Sequence, residues 1–374
     1  MKSIEGCRAQ FAVTNECAFL DNAAVAPMSE RACERMREYI DEAARLARPA
    51  GRKWAETAQS ARSMAAALMG ARVDEIAFTS STSMGLALIA ASLDWRAGES
   101  VVTAANEFPA NMYPWLNLKR RGVHVKAVAP RGDGRVAVED LAAAIDRHTR
   151  VVALSWVGFN TGLRVDLARL GRECRRRGAL LVVDAIQGLG AFDMKVAEWG
   201  VAAAAADAHK WLLGPEGIAL LYVSRKLADS LNPAVVGWKS VRNPYDFLHY
   251  DFTLADGAAR FEQGTNNTAG VHGLCGALEL IEKAGSSQIT ARCRHLAEYL
   301  RVGLRAKGLK ELWPHGAHDW SPIVAFDAPG GDGPEAARAL EKDGIIVTGR
   351  AGFLRASPHF YNNETDIDRL LSAF

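Results

Sequence analysis

Between residues 75 and 223, short apolar runs recur with amphipathic stretches between most of them, and this alternation constrains the fold more than any other feature. The runs cover 75–79, 100–104, 124–129, 151–157, 179–184, 202–206 and 218–223. They are nearly continuous in apolar side chains, as strands are when helices cover both faces of a parallel sheet. In the intervening 166–177 stretch, Leu167, Leu170 and Cys174 share one helical face with arginines opposite, and Gly178 stands where a helix closes. The pattern predicts an α/β fold built on a large, mostly parallel sheet. After residue 284 it changes to a long helix (286–307), a strand (322–326), a helix (334–342), a second strand (345–347) and a final helix from Glu364. That reads as a small α+β C-terminal domain. The expected organisation is a large domain over 16–283 and a small one over 284–374, joined by the N-terminal segment 1–15.

Composition removes several function classes. The 374 residues carry 45 basic and 43 acidic side chains, a net charge of +2, which is not the basic excess of a nucleic-acid-binding surface. The run Arg175, Arg176, Arg177 reads as a solvated helix face. No apolar stretch approaches the roughly 20 residues that span a bilayer, and charges occupy the N-terminal positions where a secretory signal is apolar. A cytoplasmic protein with no membrane partner is expected. The six cysteines show no C-x-x-C spacing, so reduced packing residues are expected, with no metal site.

Open parallel sheets bind ligands beyond the carboxyl ends of their strands, and three motifs fall there. Thr79, Ser80, Ser81, Thr82 and Ser83 follow one strand and open a helix, where free N–H groups and hydroxyls make a seat for phosphate. One such residue suffices for a helix cap; five exceed that need. Asp184 ends a second apolar strand, and a buried carboxylate there must be paired or used. Lys210, in Asp207-Ala208-His209-Lys210-Trp211, follows a third, where partial desolvation lowers an amine's pKa and permits Schiff-base chemistry. A phosphate seat, an acid and such a lysine on one sheet edge are the requirements of pyridoxal phosphate.

With these motifs the chain resembles the class V aminotransferase family of fold-type I pyridoxal-phosphate enzymes, which includes cysteine desulfurases, kynureninases and isopenicillin N epimerase-like proteins. The resemblance runs from Phe19-Leu20-Asp21-Asn22-Ala23-Ala24 to Leu354-Arg355-Ala356-Ser357. It implies the fold of aspartate aminotransferase-like enzymes, with Lys210 as the Schiff-base lysine and Asp184 holding the pyridine nitrogen protonated. Phe108 would stack on the ring, Gln187 would contact the ring hydroxyl, and Thr82, Ser83 and His209 would hold the phosphate. Arg355 would pair the substrate α-carboxylate, with Asn22 and Asn160 beside the substrate. The segment 260–266 resembles one that reaches into a partner subunit's site. It implies a homodimer in which Thr265 donates to the phosphate across the interface.

The family pattern is broken in places. Asp207 stands where desulfurases place a serine, and the stretch 348–354, read as a short loop, lacks their nucleophilic cysteine. Persulfide-forming desulfurase activity is therefore disfavoured at this point. Segment 236–240 together with 259–262 looks like the isopenicillin N epimerase-like branch. The expectation is an enzyme acting on a small amino acid by Cα deprotonation, as a carbon–sulfur β-lyase or an aminotransferase. The alternatives are an epimerase and a catalytically silent cofactor-binding protein. The substrate and the roles of Asp207 and Arg350 stay open.

Overall fold

The computed structural model describes residues 4–374. A short strand β1 (Ala18–Phe19) precedes the strands of the large sheet: β2 (Ile76–Thr79), β3 (Ser100–Ala104), β4 (His124–Val128), β5 (Thr149–Ser155), β6 (Leu180–Asp184), β7 (Val201–Asp207) and β8 (Ala219–Val223). Their spatial order is β2-β8-β7-β6-β5-β3-β4. The neighbours β7/β6, β6/β5, β5/β3 and β3/β4 are parallel, while β8 is antiparallel to both β7 and β2. Only β8 therefore runs against the rest. No helix separates it from β7, so the chain turns straight back instead of crossing over. The other strands all end on one edge, and the segments after β2, β3, β5, β6 and β7 meet there. Both faces of the sheet are packed, one around Val152, Val183 and Tyr222, the other around Val101, Val182 and Leu221.

Alanine in β7 has a specific consequence. A Cβ on Gly85 would lie 2.9 Å from the Ala205 Cβ, so glycine and alanine together let the helix Thr82–Ser92 approach β7 closely. That brings the helix N-terminus to the same edge as Asp207. Ser81 caps the helix by accepting from Met84 N at 3.1 Å. The helix Leu167–Arg177 begins under an Asp166 cap and ends at Gly178 with φ +72°, as its pattern predicts.

Beyond the helices Thr268–Ala284 and Ser286–Ala306 come β9 (Val324–Asp327), β10 (Ile345–Ile346), β11 (Thr348–Arg350) and β12 (Phe353–Ala356). Here the sequence reading needs correction. The stretch 348–354 is not a loop but an antiparallel hairpin, with Thr348 opposite Arg355 and Arg350 opposite Phe353, and β12 pairs onward to β9. Its strands are short and β11 is polar and half-buried, so no apolar run marks them. β10 joins none of these and pairs in parallel with β1. Ala18 and Leu20 accordingly sit in the C-terminal core with Leu296, Phe326 and Leu354.

Candidate active site

A cleft of about 340 Å³ opens at the carboxyl edge. Thr82, Ser83, Phe108, Asp184, Gln187, His209, Lys210 and Arg355 line it, with Phe159, Asp207 and Arg350 among the others. Two expected substrate-side residues lie elsewhere, and Thr265, expected in a partner subunit's site, lies outside this cleft as well. Asn22 is buried, its amide spent on Ser357 O (2.8 Å) and the Tyr361 hydroxyl (2.8 Å). The Asn160 Oδ1 is buried, has no hydrogen-bond partner among the described residues, and lies outside the lining. Thr265 is exposed and lines a separate groove with Ser80, Met84 and Gln263.

Asp184 is the last residue of β6 and 2% exposed. Burial is the main reason its pKa rises from 3.8 to about 6, against the opposing pull of the Ile186 N–H and the Lys210 charge. Oδ1 accepts from Ile186 N at 3.0 Å, and among the described residues Oδ2 has no donor. The amide of Gln187 is fixed at both ends, donating to Ala23 O and accepting from the Trp211 indole, each at 2.9 Å.

Lys210 leaves β7 in a turn closed by Leu213 N to Lys210 O at 3.0 Å. Leu213 adopts φ +59°, a left-handed conformation costly for a branched side chain, and its full burial holds the turn in place. Burial lowers the Lys210 pKa from 10.5 to about 8, although Asp184 pulls it the other way. Its Nζ lies 5.8 Å from the Phe108 ring centroid, and no acid comes within ion-pair distance among the described residues. A deprotonated amine is thus within reach near neutral pH.

Asp207 has a defined place. Its Oδ2 accepts from Thr82 N at 2.8 Å, the Thr82 hydroxyl accepts from Asp207 N at 2.8 Å, and Oδ1 lies 3.3 Å from His209 Nδ1. The carboxylate occupies one N–H of the helix start and leaves those beyond it. The donor set suits pyridoxal phosphate: an unpaired amine, a buried acid with one free oxygen, hydroxyls at a helix N-terminus, and an arginine whose Nε is buried and unbonded.

Sequence reasoning missed Glu107, Asp21 and Thr348. Glu107 lies just past β3, where the rule that singled out Asp184 would also have found it. Its carboxylate accepts from Ser155 N at 2.7 Å and from the Ser155 hydroxyl, and Ser155 is the register partner of Asp184. The residue as a whole is half-buried, but its carboxyl end is enclosed. Burial raises its pKa from 4.5 to about 7, and the nearby Asp184 charge adds to the rise. Folding therefore favours the protonated form. Its contribution is full below pH 4.5 and is lost as pH climbs through 7, a cost of about 3 kcal/mol above that. Glu107→Gln should match wild-type apoprotein in urea unfolding near pH 4.5 and exceed its stability at pH 8; equal stability at pH 8 would contradict the placement.

The family model described as Aminotransferase class-V matches residues 18–370. The chain belongs to the class V aminotransferase family. A probable cysteine desulfurase of Methanothermobacter thermautotrophicus is 30% identical, covering 98% of this chain and 96% of the relative. An isopenicillin N epimerase of Amycolatopsis lactamdurans is also 30% identical, over 84% of this chain and 83% of that protein. The solved apo cysteine desulfurase of Thermococcus onnurineus superposes with a TM-score of 0.90 at 26% identity, covering 99% of this chain and 96% of that one. The class V protein is a pyridoxal-phosphate enzyme of the aminotransferase and lyase kind with the fold-type I architecture. Setting persulfide-forming desulfurase activity aside finds no support in these names. No helix of the described residues is long and apolar enough to cross a membrane.

Proposed function

We propose that this class V enzyme takes a proton from the Cα of a small amino acid and works as a carbon–sulfur β-lyase or an aminotransferase. The observation that carries the reading is the Lys210 amine, free of any acid partner among the described residues, in one cleft with Asp184 and Arg355. Arg355 would bind the substrate α-carboxylate, with its Nε still available. Lys210 would hold the cofactor and, once released, accept the Cα proton at Nζ. When bound, pyridoxal phosphate supplies an electron sink for the pair left at Cα. Asp184 would keep a proton on the ring nitrogen, Phe108 would cover the ring face, and Gln187 would hydrogen-bond the ring hydroxyl. Thr82, Ser83 and His209 would hold the phosphate.

None of the six cysteines lines the cleft, and the hairpin leading into Arg355 contains none. That favours release of a leaving group, or amino transfer, over capture of sulfur by the chain's own thiol. A second copy of the chain would complete the assembly. Val235, Trp238, Tyr245, Phe247, Tyr250 and Phe252 are all exposed in the segment leading to Thr265, apolar side chains that a second copy could cover.

The test is an amino-acid panel with and without keto-acid acceptors, scored for keto-acid release, amino transfer and loss of chirality. Acceptor-independent release of pyruvate and ammonia identifies the lyase, and acceptor-dependent turnover the aminotransferase. Racemisation alone, or sulfur retained on the protein, would overturn both. Borohydride should fix the cofactor to Lys210.

A further inference from the structure

Two guanidiniums face the cleft, and their surroundings differ. Arg355 is 1% exposed and already held from within: it donates to Phe159 O at 2.7 Å, to the Thr348 hydroxyl at 3.1 Å and to Asp21 Oδ1 at 3.2 Å. Its charge has a counterion. Arg350 has none. Among the described residues no acid lies within ion-pair distance of it and its side chain makes no hydrogen bond; it rests over the Phe159 ring, 5.4 Å from the centroid, with Nε buried and unbonded.

The hairpin explains why both face the same way. Thr348 is the cross-strand partner of Arg355, and Arg350 stands two residues on from Thr348, hence on the same face of the ladder. Arg350 is half-buried, and water is closed off from its Nε. A half-buried guanidinium with neither counterion nor hydrogen bond is costly unless a ligand completes it. Its charge also reaches its neighbours, disfavouring protonation of both Lys210 and Arg355.

We propose that Arg350 seats a second anionic group on the substrate, so that the amino acid this enzyme takes carries an acidic side chain. The inference rests on the proposed function for the α-amino and α-carboxylate ends. Arg355 takes the α-carboxylate and Arg350 the distal anion, while the Phe159 ring keeps the second guanidinium in place. A carboxylate and a sulfinate present the same chemistry to a guanidinium fork.

The experiment compares acidic amino acids with neutral isosteres on the holoenzyme: aspartate and cysteine sulfinate against 2-aminobutyrate, and glutamate against norvaline. In parallel, calorimetry measures binding of succinate and glutarate against butyrate. Acidic substrates and dicarboxylates should be favoured about ten- to hundredfold, as for a charge-assisted bond. Arg350→Gln should shrink that preference at least tenfold, and Arg350→Lys should retain part of it. The carboxylate and sulfinate arms show which anion the seat prefers. Equal use of acidic and neutral substrates would overturn the proposal. So would an Arg350→Gln enzyme that loses acidic and neutral substrates by the same factor, since Arg350 would then serve the α-carboxylate. If no amino acid turns over, the proposed reaction fails. The dicarboxylate measurement then decides the seat by itself, an Arg350-dependent preference supporting it and no preference overturning it.

Discussion

Lys210→Ala apoprotein is expected to be more stable than wild-type apoprotein at pH 7, while the variant holoprotein is inactive. Folding holds the Lys210 amine at about 8 instead of 10.5, so it disfavours the charged form. The cost is full below pH 8, fades as pH rises toward 10.5, and amounts to about 3 kcal/mol at its largest. Alanine removes that cost. The lost packing of the lysine stem takes part of it back, leaving a net gain on the order of 1–2 kcal/mol. Above pH 10.5 the gain should vanish. Turnover should fall by about a thousandfold or more, because the same amine both holds the cofactor and takes the Cα proton. Stability gained with activity lost marks a group kept for its chemistry. Urea unfolding of the two apoproteins at pH 7 and pH 10.5, with turnover of the holoproteins, checks both halves. A destabilised variant at pH 7 would show that Lys210 serves the fold instead.

Much of this site was legible because it is built from strand ends. Asp184 and Lys210 each close or follow an apolar run, and the sheet brings such ends to one edge whatever lies between them. Thr82 and Ser83 follow from the same rule, with the resemblance adding His209, Phe108, Gln187 and Arg355. What stayed hidden depends on pairing across long stretches of chain. The hairpin β11–β12 has no apolar run of its own and is defined by β9. The Asp21 contact to Arg355 joins residues 334 apart, beyond any local pattern. β8 runs antiparallel because a helix is missing before it, and a missing element leaves a weaker mark than one present. Asp207 stands where the family's desulfurases place a serine, and the sequence leaves its role open. Its structural use, accepting from Thr82 N, exists only once Gly85 and Ala205 let the helix start approach β7.

Asp184→Asn should cut kcat by about a thousandfold with a much smaller change in KM, because the substitution keeps shape and removes charge. The Asn Oδ1 can still accept from Ile186 N, so the backbone at the end of β6 has no reason to move. A neutral amide cannot hold a proton on a pyridine nitrogen, and the electron sink weakens when the carbanion forms, not when substrate binds. The apoprotein gives an independent reading. Folding raises the Asp184 pKa from 3.8 to about 6, so its ionisation costs nothing below pH 3.8 and about 3 kcal/mol above pH 6. Asp184→Asn apoprotein should therefore gain stability on that order at pH 8 and none near pH 3.8. The Asp184 charge also raises the pKa of Glu107, so the two carboxylates share a repulsion that either substitution removes. The double variant Asp184→Asn/Glu107→Gln should therefore gain less at pH 8 than the two single gains summed, since each single change already relieves the shared repulsion. Strict additivity would mean that the two carboxyls titrate separately and that Ser155 insulates one from the other.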